Sequence, residues 1–197
     1  KNKGSDNWYI GLGGGTNLYM TKGENDADAN FGDRLGWMGQ LEIGRWNSPN
    51  WGARVVIDGG HIKHVVTGIP AEQNWLGGHL DLMYDVTNAW GSYNPDRVYS
   101  LIPYLGIGYM YGLDEDWKKP NPDGDLFKNQ NQTLTYNVGL INNFKLSSNV
   151  ALFLELGWRV MQESFDRSGT TGDYEYDSMF TGTAGIKFGL GGKQDFT

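Results

Sequence analysis

Two ionisable residues in the middle of the chain have the spacing of a catalytic pair. His79 and Asp81 are two residues apart, so a β-strand would point both side chains to the same side, like a base and the carboxylate that orients it. No serine or cysteine nucleophile is fixed beside them in the sequence. We therefore favour an interior hydrogen bond between the two residues, and we predict no catalytic residue.

Other charged residues also occupy the minority face of alternating segments. That face otherwise carries mainly Gly, Thr, Asn and Ala, and its few charges include both signs, as an internally paired network requires. An isolated charge in a place of low dielectric would cost several kcal/mol or more. We predict an interior polar network, most simply a static plug, that consists of Glu42, Arg54, Asp58, His79, Asp81, Glu155, Arg159 and Lys187.

Metal ligation receives little support from the sequence. His61 and His64 are three residues apart, so on a strand they face opposite ways, and joint ligation would need a loop conformation. Acidic residues in the polar loops could supply oxygen ligands to Ca²⁺, but they lack EF-hand spacing, and a solvated charge run is the simpler interpretation. These acidic residues are Glu24, Asp26, Asp28, Asp114, Glu115, Asp116, Asp123 and Asp125. We predict no metal and no cofactor.

The composition of the 197 residues restricts the class of protein. A net charge of −7 argues against nucleic acid as a partner, because phosphates need a basic surface. The absence of cysteine excludes disulfides and thiolate zinc sites. Thirty glycines and 14% aromatic residues are typical of curved β-structure. The chain has no apolar run of roughly 18 residues that would form a membrane helix, and a β-barrel would not need one.

Alternation of period two predicts eight strands. The connections are expected to be long after strands one, three, five and seven and shorter after the others, with His61–Asn74 as a loop and no helix. This rhythm is typical of a membrane-spanning meander with unlike ends. The predicted strands are Trp8–Tyr19, Leu35–Trp46, Trp51–His61, Trp75–Val86, Val98–Tyr111, Gln132–Phe144, Val150–Val160 and Ser178–Leu190.

The orientation of the two faces separates a membrane barrel from a soluble one. In strand seven Leu154, Leu156 and Trp158 alternate with Glu155 and Arg159. A soluble barrel would carry many more charges on its polar face than these strands do, so we predict that the apolar face meets lipid. The predicted fold class is all-β, an eight-stranded antiparallel up-and-down transmembrane β-barrel. Eight strands leave an interior just wide enough for side chains, which argues against a large pore.

Aromatic residues lie near both ends of the apolar face. Tyr136 and Phe144 are eight residues apart, which at about 3.4 Å per residue and a tilt of roughly 40° corresponds to on the order of 21 Å along the membrane normal. This approaches the apolar band of about 25 Å. We predict membrane-interface positions for Trp8, Trp37, Trp51, Tyr84, Tyr109, Tyr136, Phe144, Trp158, Phe180 and Phe188.

The opening NWYIG, the Gly-rich alternation and the eight strands resemble the N-terminal transmembrane β-barrel of the outer membrane protein A (OmpA) family. The last strand adds to this resemblance. Its Thr183, Gly185, Phe188 and Leu190 are similar to the C-terminal assembly signal of outer membrane barrels. The resemblance, which extends from about Trp8 to Leu190, implies location in the outer membrane of a Gram-negative bacterium. It also implies that the polar network could gate small ions.

The expected function is that of a structural membrane anchor for envelope integrity, with minor small-solute or ion channel activity and surface-exposed loops. We expect residues 1–190 to form the barrel and residues 191–197 to begin a linker or tail. The expected partners are outer membrane lipid and lipopolysaccharide, the latter contacted by Trp117, Lys118 and Lys119, and the barrel assembly machinery. Peptidoglycan is expected only through a C-terminal domain that is absent here.

Two other functions remain open at this point. One is a soluble lipocalin-like carrier of a small apolar ligand, which would fold in water without detergent. The other is an outer membrane enzyme with an active site at the loop end, which would lose turnover when a loop carboxylate such as Asp114 is replaced. A passive anchor would tolerate that replacement, because loop residues support no core.

Overall fold

The computed structural model describes residues 3–20, 34–66, 69–113, 132–162, 176–191 and 194–196. Its strands close into one barrel in chain order, each pairing antiparallel with the next and β1 pairing with β8. The predicted fold class, an eight-stranded antiparallel up-and-down barrel, is confirmed. The strands are β1 Trp8–Met20, β2 Leu35–Trp46, β3 Trp51–Val66, β4 Ile69–Tyr84, β5 Tyr99–Gly112, β6 Gln132–Lys145, β7 Val150–Gln162 and β8 Tyr176–Leu190.

The period-two alternation of the sequence becomes an apolar outside and a polar inside. Outward side chains such as Leu12 and Leu105 are 61% and 67% exposed, whereas inward Glu42 and Arg54 are each 1% exposed. Successive side chains of a strand point to opposite faces. The pairing register of the strands therefore determines both which residues face outward and which face the interior. We call the end that carries the 47–50, 85–98 and 146–149 connections, the start of β1 and the end of β8 the turn end, and the opposite end the loop end.

The prediction of a loop over His61–Asn74 is wrong. β3 and β4 continue as a paired hairpin as far as Val66 and Ile69, so two residues separate the strands. Pro70, which lies in this range, pairs with Val65 in a stretch where the described part of the chain gives β4 no partner other than β3. An edge position tolerates proline because no second ladder needs its missing N–H.

The predicted rhythm of connections also fails after β4. The connection there runs over residues 85–98 and is longer than the one after β3, and it contains a helix, α1, at Val86–Gly91. Asp85, expected inside a strand, caps this helix by accepting a hydrogen bond from the Asn88 backbone N–H at 2.9 Å. Six residues are too few to show helical periodicity. Within the described ranges no helix combines the length and apolar character needed to cross a membrane.

Pro103 is accommodated inside β5 for a related reason. The ladder between β4 and β5 ends at Met83 and Tyr104, and the backbone N–H of Leu101 donates instead to the side-chain hydroxyl of Thr87 at 2.7 Å. Alternate residues of a strand direct their N–H groups to the same side. The missing N–H of Pro103 therefore falls where the ladder with β4 has already ended.

Inward glycines make room for the largest inward side chains. A Cβ atom added to Gly106 would lie 2.0 Å from Asp81 Oδ1 and 2.5 Å from the Leu80 carbonyl oxygen. Added to Gly139, it would lie 2.5 Å from the Tyr104 hydroxyl. Small residues on one strand thus face large ones on its neighbour, and this pairing lets a narrow barrel hold ionic and aromatic side chains.

Candidate functional site

Arg54 is the centre of the buried ionic network. Its guanidinium contacts Glu42 at 2.6 Å, Asp81 at 2.8 Å and Glu155 at 2.6 Å. A second contact to Glu155, at 2.9 Å, makes that pair bidentate. The planar fork of an arginine suits several carboxylates at once, and the ring of Tyr104 lies 4.5 Å from the guanidinium carbon.

A second group of charges lies beside the first, toward the loop end. Arg159 pairs with Asp58 and donates to the side-chain oxygen of Asn137 at 2.8 Å. His79 connects the two groups, because its Nδ1 lies 2.7 Å from Asp81 and its Nε2 lies 3.6 Å from Asp58. The predicted interior hydrogen bond between His79 and Asp81 is therefore present in the structure.

All eight residues predicted for the interior network are buried and connected. Lys187 joins through Glu42 at 3.2 Å. The set contains four carboxylates, two arginines, one lysine and one histidine, so the charges of the two signs are equal in number when His79 is protonated. Further inward side chains that were not among the residues predicted from the sequence also contact the network, and they include Gln40, Tyr104, Asn137 and Thr183.

Two apolar clusters enclose the network along the barrel axis. Their side chains are no more than 6% exposed, and each cluster spans the interior between several strands. The loop-end cluster contains Tyr19, Met38, Ile62, Trp75, Met110, Met161 and Met179. The turn-end cluster contains Tyr9, Met83, Ile102, Tyr104, Ile141 and Phe153, with Trp46 packed against it. The four carboxylates, the two arginines and His79 therefore lie in a layer closed on both sides by packed side chains, whereas Lys187 lies over the rings of Tyr9 and Phe153 in the turn-end cluster.

This arrangement is suited to structural support and poorly suited to chemistry. His79 is 7% exposed and Asp81 is 1% exposed, so a substrate has no access to the pair, and Asp81 is already engaged by Arg54. Within the described ranges, no group of three or more His, Cys, Asp or Glu side chains is arranged to hold a metal ion. What the network can do is satisfy its own charges inside the barrel.

The predicted interfacial aromatics lie on the outer face in two belts. The turn-end belt contains an aromatic contact between Trp51 and Tyr84, whose ring centroids are 4.5 Å apart. The loop-end belt contains a stacked contact between Trp158 and Phe180 at 5.9 Å. Of the other predicted aromatics, Trp8, Phe144 and Phe188 belong to the turn-end belt, and Trp37, Tyr109 and Tyr136 belong to the loop-end belt.

A cleft of about 180 Å³ lies at the turn end, across the mouth of the barrel. The 85–98 connection forms one wall, and residues 194–196 reach it from β8, where the Phe196 backbone N–H donates to the Tyr93 hydroxyl at 2.8 Å. Burial raises the pKa of the Tyr93 phenol above its ordinary value. Arg97, which lines the cleft, donates to the carbonyl oxygens of Thr87, Gly91 and Ser92, so its charge is used within the connection.

Several candidate residues lie beyond what the structure describes. The eight acidic loop residues considered for Ca²⁺, and Trp117, Lys118 and Lys119, all fall outside the described residues, as does the side chain of His64. His61 lies on β3, not in a loop, and contacts Asn74 at 3.1 Å and Glu72 at 3.3 Å. The described contacts therefore give no support to a metal site at His61 and His64.

Comparison with known proteins relates the chain to outer membrane proteins. It is 34% identical over 195 residues to outer membrane protein 40 of Porphyromonas gingivalis, a match that covers 97% of this chain and 49% of the relative. It is 33% identical over 160 residues to outer membrane protein 41 of the same bacterium, covering 79% of this chain and 38% of the relative. The chain thus spans half or less of the length of these relatives. No family model matches it.

Solved structures with the same fold are small outer membrane barrels. Neisserial surface protein A gives a TM-score of 0.55 at 10% identity, covering 93% of this chain and 97% of that one. OprG of Pseudomonas aeruginosa gives 0.54 at 12% identity, with 94% and 97% covered. The N-terminal barrel domain of OprF from the same bacterium gives 0.51 at 10% identity, with 92% and 97% covered. At these identities the likeness concerns the fold alone.

The apolar exterior, the two aromatic belts and the named relatives agree with one another. A soluble carrier would need a polar exterior and an apolar interior, which is the reverse of what the structure has. The predicted location is confirmed, and the chain is an outer membrane β-barrel protein of a Gram-negative bacterium.

Proposed function

We propose that this barrel is a closed structural anchor of the outer membrane, comparable to the N-terminal barrel of OmpA-type proteins, that holds its loops at one membrane surface. The observation that supports this most strongly is the filled interior. A paired ionic layer lies between two apolar clusters whose side chains are at most 6% exposed. An interior packed in this way contributes stability and offers no space to a solute.

The same observation bears on the ion-channel activity that the family resemblance implied. Passage of an ion would require the Arg54 contacts to open and both apolar clusters to move. Separating a buried arginine from its carboxylates costs several kcal/mol, because each charge is then left uncompensated in a place of low dielectric. We therefore propose that the resting barrel does not conduct.

The experiment is a conductance measurement on the purified barrel in planar bilayers bathed in concentrated potassium chloride. We expect no current above that of the bare bilayer after insertion, which flotation of the protein with vesicles verifies separately. Steady current steps carried by the unmodified barrel would contradict the proposal and would favour a gated pore.

We further propose that the chain is not an enzyme. The burial of His79 with Asp81 supports this, and so do the names of the relatives, which are outer membrane proteins and not enzymes. An active site at Asp114 would lie outside the described residues.

The partners of the barrel are proposals as well. Outer membrane lipid would surround the apolar face, and lipopolysaccharide phosphates would meet Lys118 and Lys119. The barrel assembly machinery would act on β8, whose Phe188 and Leu190 face outward at 44% and 39% exposure. Contact with peptidoglycan would belong to a further domain beyond the barrel.

A further inference from the structure

At the turn end, helix α1 replaces β4 as the hydrogen-bonding neighbour of the first residues of β5. β5 begins at Tyr99, but its ladder with β4 starts only at Tyr104. Thr87 of the helix accepts the hydrogen bond from the Leu101 N–H at 2.7 Å, in place of a strand residue. The helix therefore lies at the rim of the barrel, alongside the first residues of β5.

The two faces of α1 differ in character. Asn88 points toward the mouth, where it lines the turn-end cleft and donates to the Pro49 carbonyl oxygen at 2.9 Å. Val86 and Trp90 are four residues apart, which places them together on another face of a helix. Trp90 is 85% exposed, more than any other large apolar side chain that the structure describes. The helix thus directs a tryptophan away from the barrel axis.

The backbone around Trp90 is held in place by Arg97, and α1 follows a strand that carries part of the turn-end belt. Arg97 donates to carbonyl oxygens on either side of it, at Thr87, Gly91 and Ser92, over 2.7, 3.1 and 2.8 Å. In strand order, α1 lies between two aromatic pairs at the turn end. One is Trp51 with Tyr84 at 4.5 Å, and the other is Phe144 of the belt with Tyr99 at 5.4 Å. The exposed indole of Trp90 therefore belongs to a segment that lies, in strand order, between two aromatic pairs at the turn end.

We propose that Trp90 is a lipid-binding residue that holds α1 in the headgroup region of the bilayer at the turn end. An indole has an apolar body and one N–H donor, and tryptophan accordingly concentrates at the boundary between hydrocarbon and water. The site rests on the location in the outer membrane and is independent of whether the barrel conducts. It would take phospholipid headgroups and the upper acyl chain as its ligand.

The test is fluorescence quenching of a variant that keeps only Trp90 among the eight tryptophans, the others being replaced by phenylalanine. The variant is reconstituted in phosphatidylcholine vesicles brominated at different depths along the acyl chain, and a Trp158-only variant serves as the matched control. We expect both to lose emission, with Trp90 losing more to bromines near the headgroups than to bromines near the chain ends. Aqueous iodide should quench Trp90 less than it quenches free tryptophan.

Quenching of Trp90 by iodide but not by brominated lipid, with Trp158 still quenched by lipid, would overturn the assignment and leave the membrane barrel intact. Loss of lipid quenching at both positions would overturn the assignment together with the outward orientation of the apolar face. If the seven substitutions prevent folding, the Trp90 signal is obtained by subtracting the emission of Trp90→Phe from that of the unmodified chain. A difference emission insensitive to brominated lipid would then overturn the assignment.

Discussion

Replacement of Arg54 by methionine is expected to lower the free energy of unfolding of the barrel by about 3 to 5 kcal/mol, the range for breaking a buried ion pair from one side. The guanidinium contacts Glu42, Asp81 and Glu155, and the side chains of Arg54, Glu42 and Asp81 are fully buried. Methionine fills similar volume but leaves the carboxylates without their shared cation. Urea unfolding of the barrel from lipid vesicles measures the change.

Arg45→Met is the matched control, because Arg45 is only half-buried at the turn end, where its Nε donates to the Asp6 carbonyl oxygen over 3.4 Å. We expect this change to cost less than about 1 kcal/mol. Adding Glu42→Gln and Glu155→Gln to Arg54→Met should recover part of the loss, since fewer uncompensated charges remain. If Arg54→Met and Arg45→Met lowered the free energy of unfolding by the same amount, the network would not stabilise the barrel.

The second large effect is expected on the outer face. Leu154, near the middle of β7, is 47% exposed and points away from the barrel axis. Leu154→Arg places a charge in the hydrocarbon of the bilayer, which should cost about 2 to 4 kcal/mol at mid-depth. Urea unfolding from lipid vesicles measures the free energy of unfolding of the Leu154→Arg variant and of the unmodified barrel, and the difference is the cost.

Depth provides the control for this change. Leu190 also faces outward but is the last residue of β8, at the turn end, and Leu190→Arg should cost only about 0 to 1 kcal/mol near the interface. The inward change Thr135→Ser should also cost little, because it keeps a hydroxyl in place. If arginine cost the same at both depths, the outer face would not be in contact with a bilayer.

Face assignment was the part of the fold that the sequence predicted well. In β7, charged Glu155 and Arg159 alternate with Leu154, Leu156 and Trp158, and a period of two leaves one consistent way to sort them. The connections between strands were predicted less well than the faces of the strands. A loop was predicted over His61–Asn74, yet β3 and β4 pair through most of that range, and α1 was too short to produce a helical pattern.

Membership of the network was largely predictable, but its pairing was not. Parity identifies Arg54 and Glu155 as inward, but their contact joins positions 101 residues apart and depends on closure of the whole barrel. Gln40 and Thr183 were missed because a short polar side chain on an inward face is as compatible with simple filling as with a hydrogen bond. Trp90 was missed because it lies in a connection, where alternation carries no information.

The most direct measurement compares Trp75 and Trp158, each as the single tryptophan of a variant in vesicles. Trp75 is 1% exposed inside the barrel beside Arg159, whereas Trp158 is 45% exposed on the outer face. A closed barrel in lipid predicts strong quenching of Trp158 by brominated lipid and protection of Trp75 from aqueous iodide. Quenching of Trp75 by iodide as efficient as that of free tryptophan would reveal a water-filled interior, and a Trp158 insensitive to brominated lipid would place the apolar face away from the membrane.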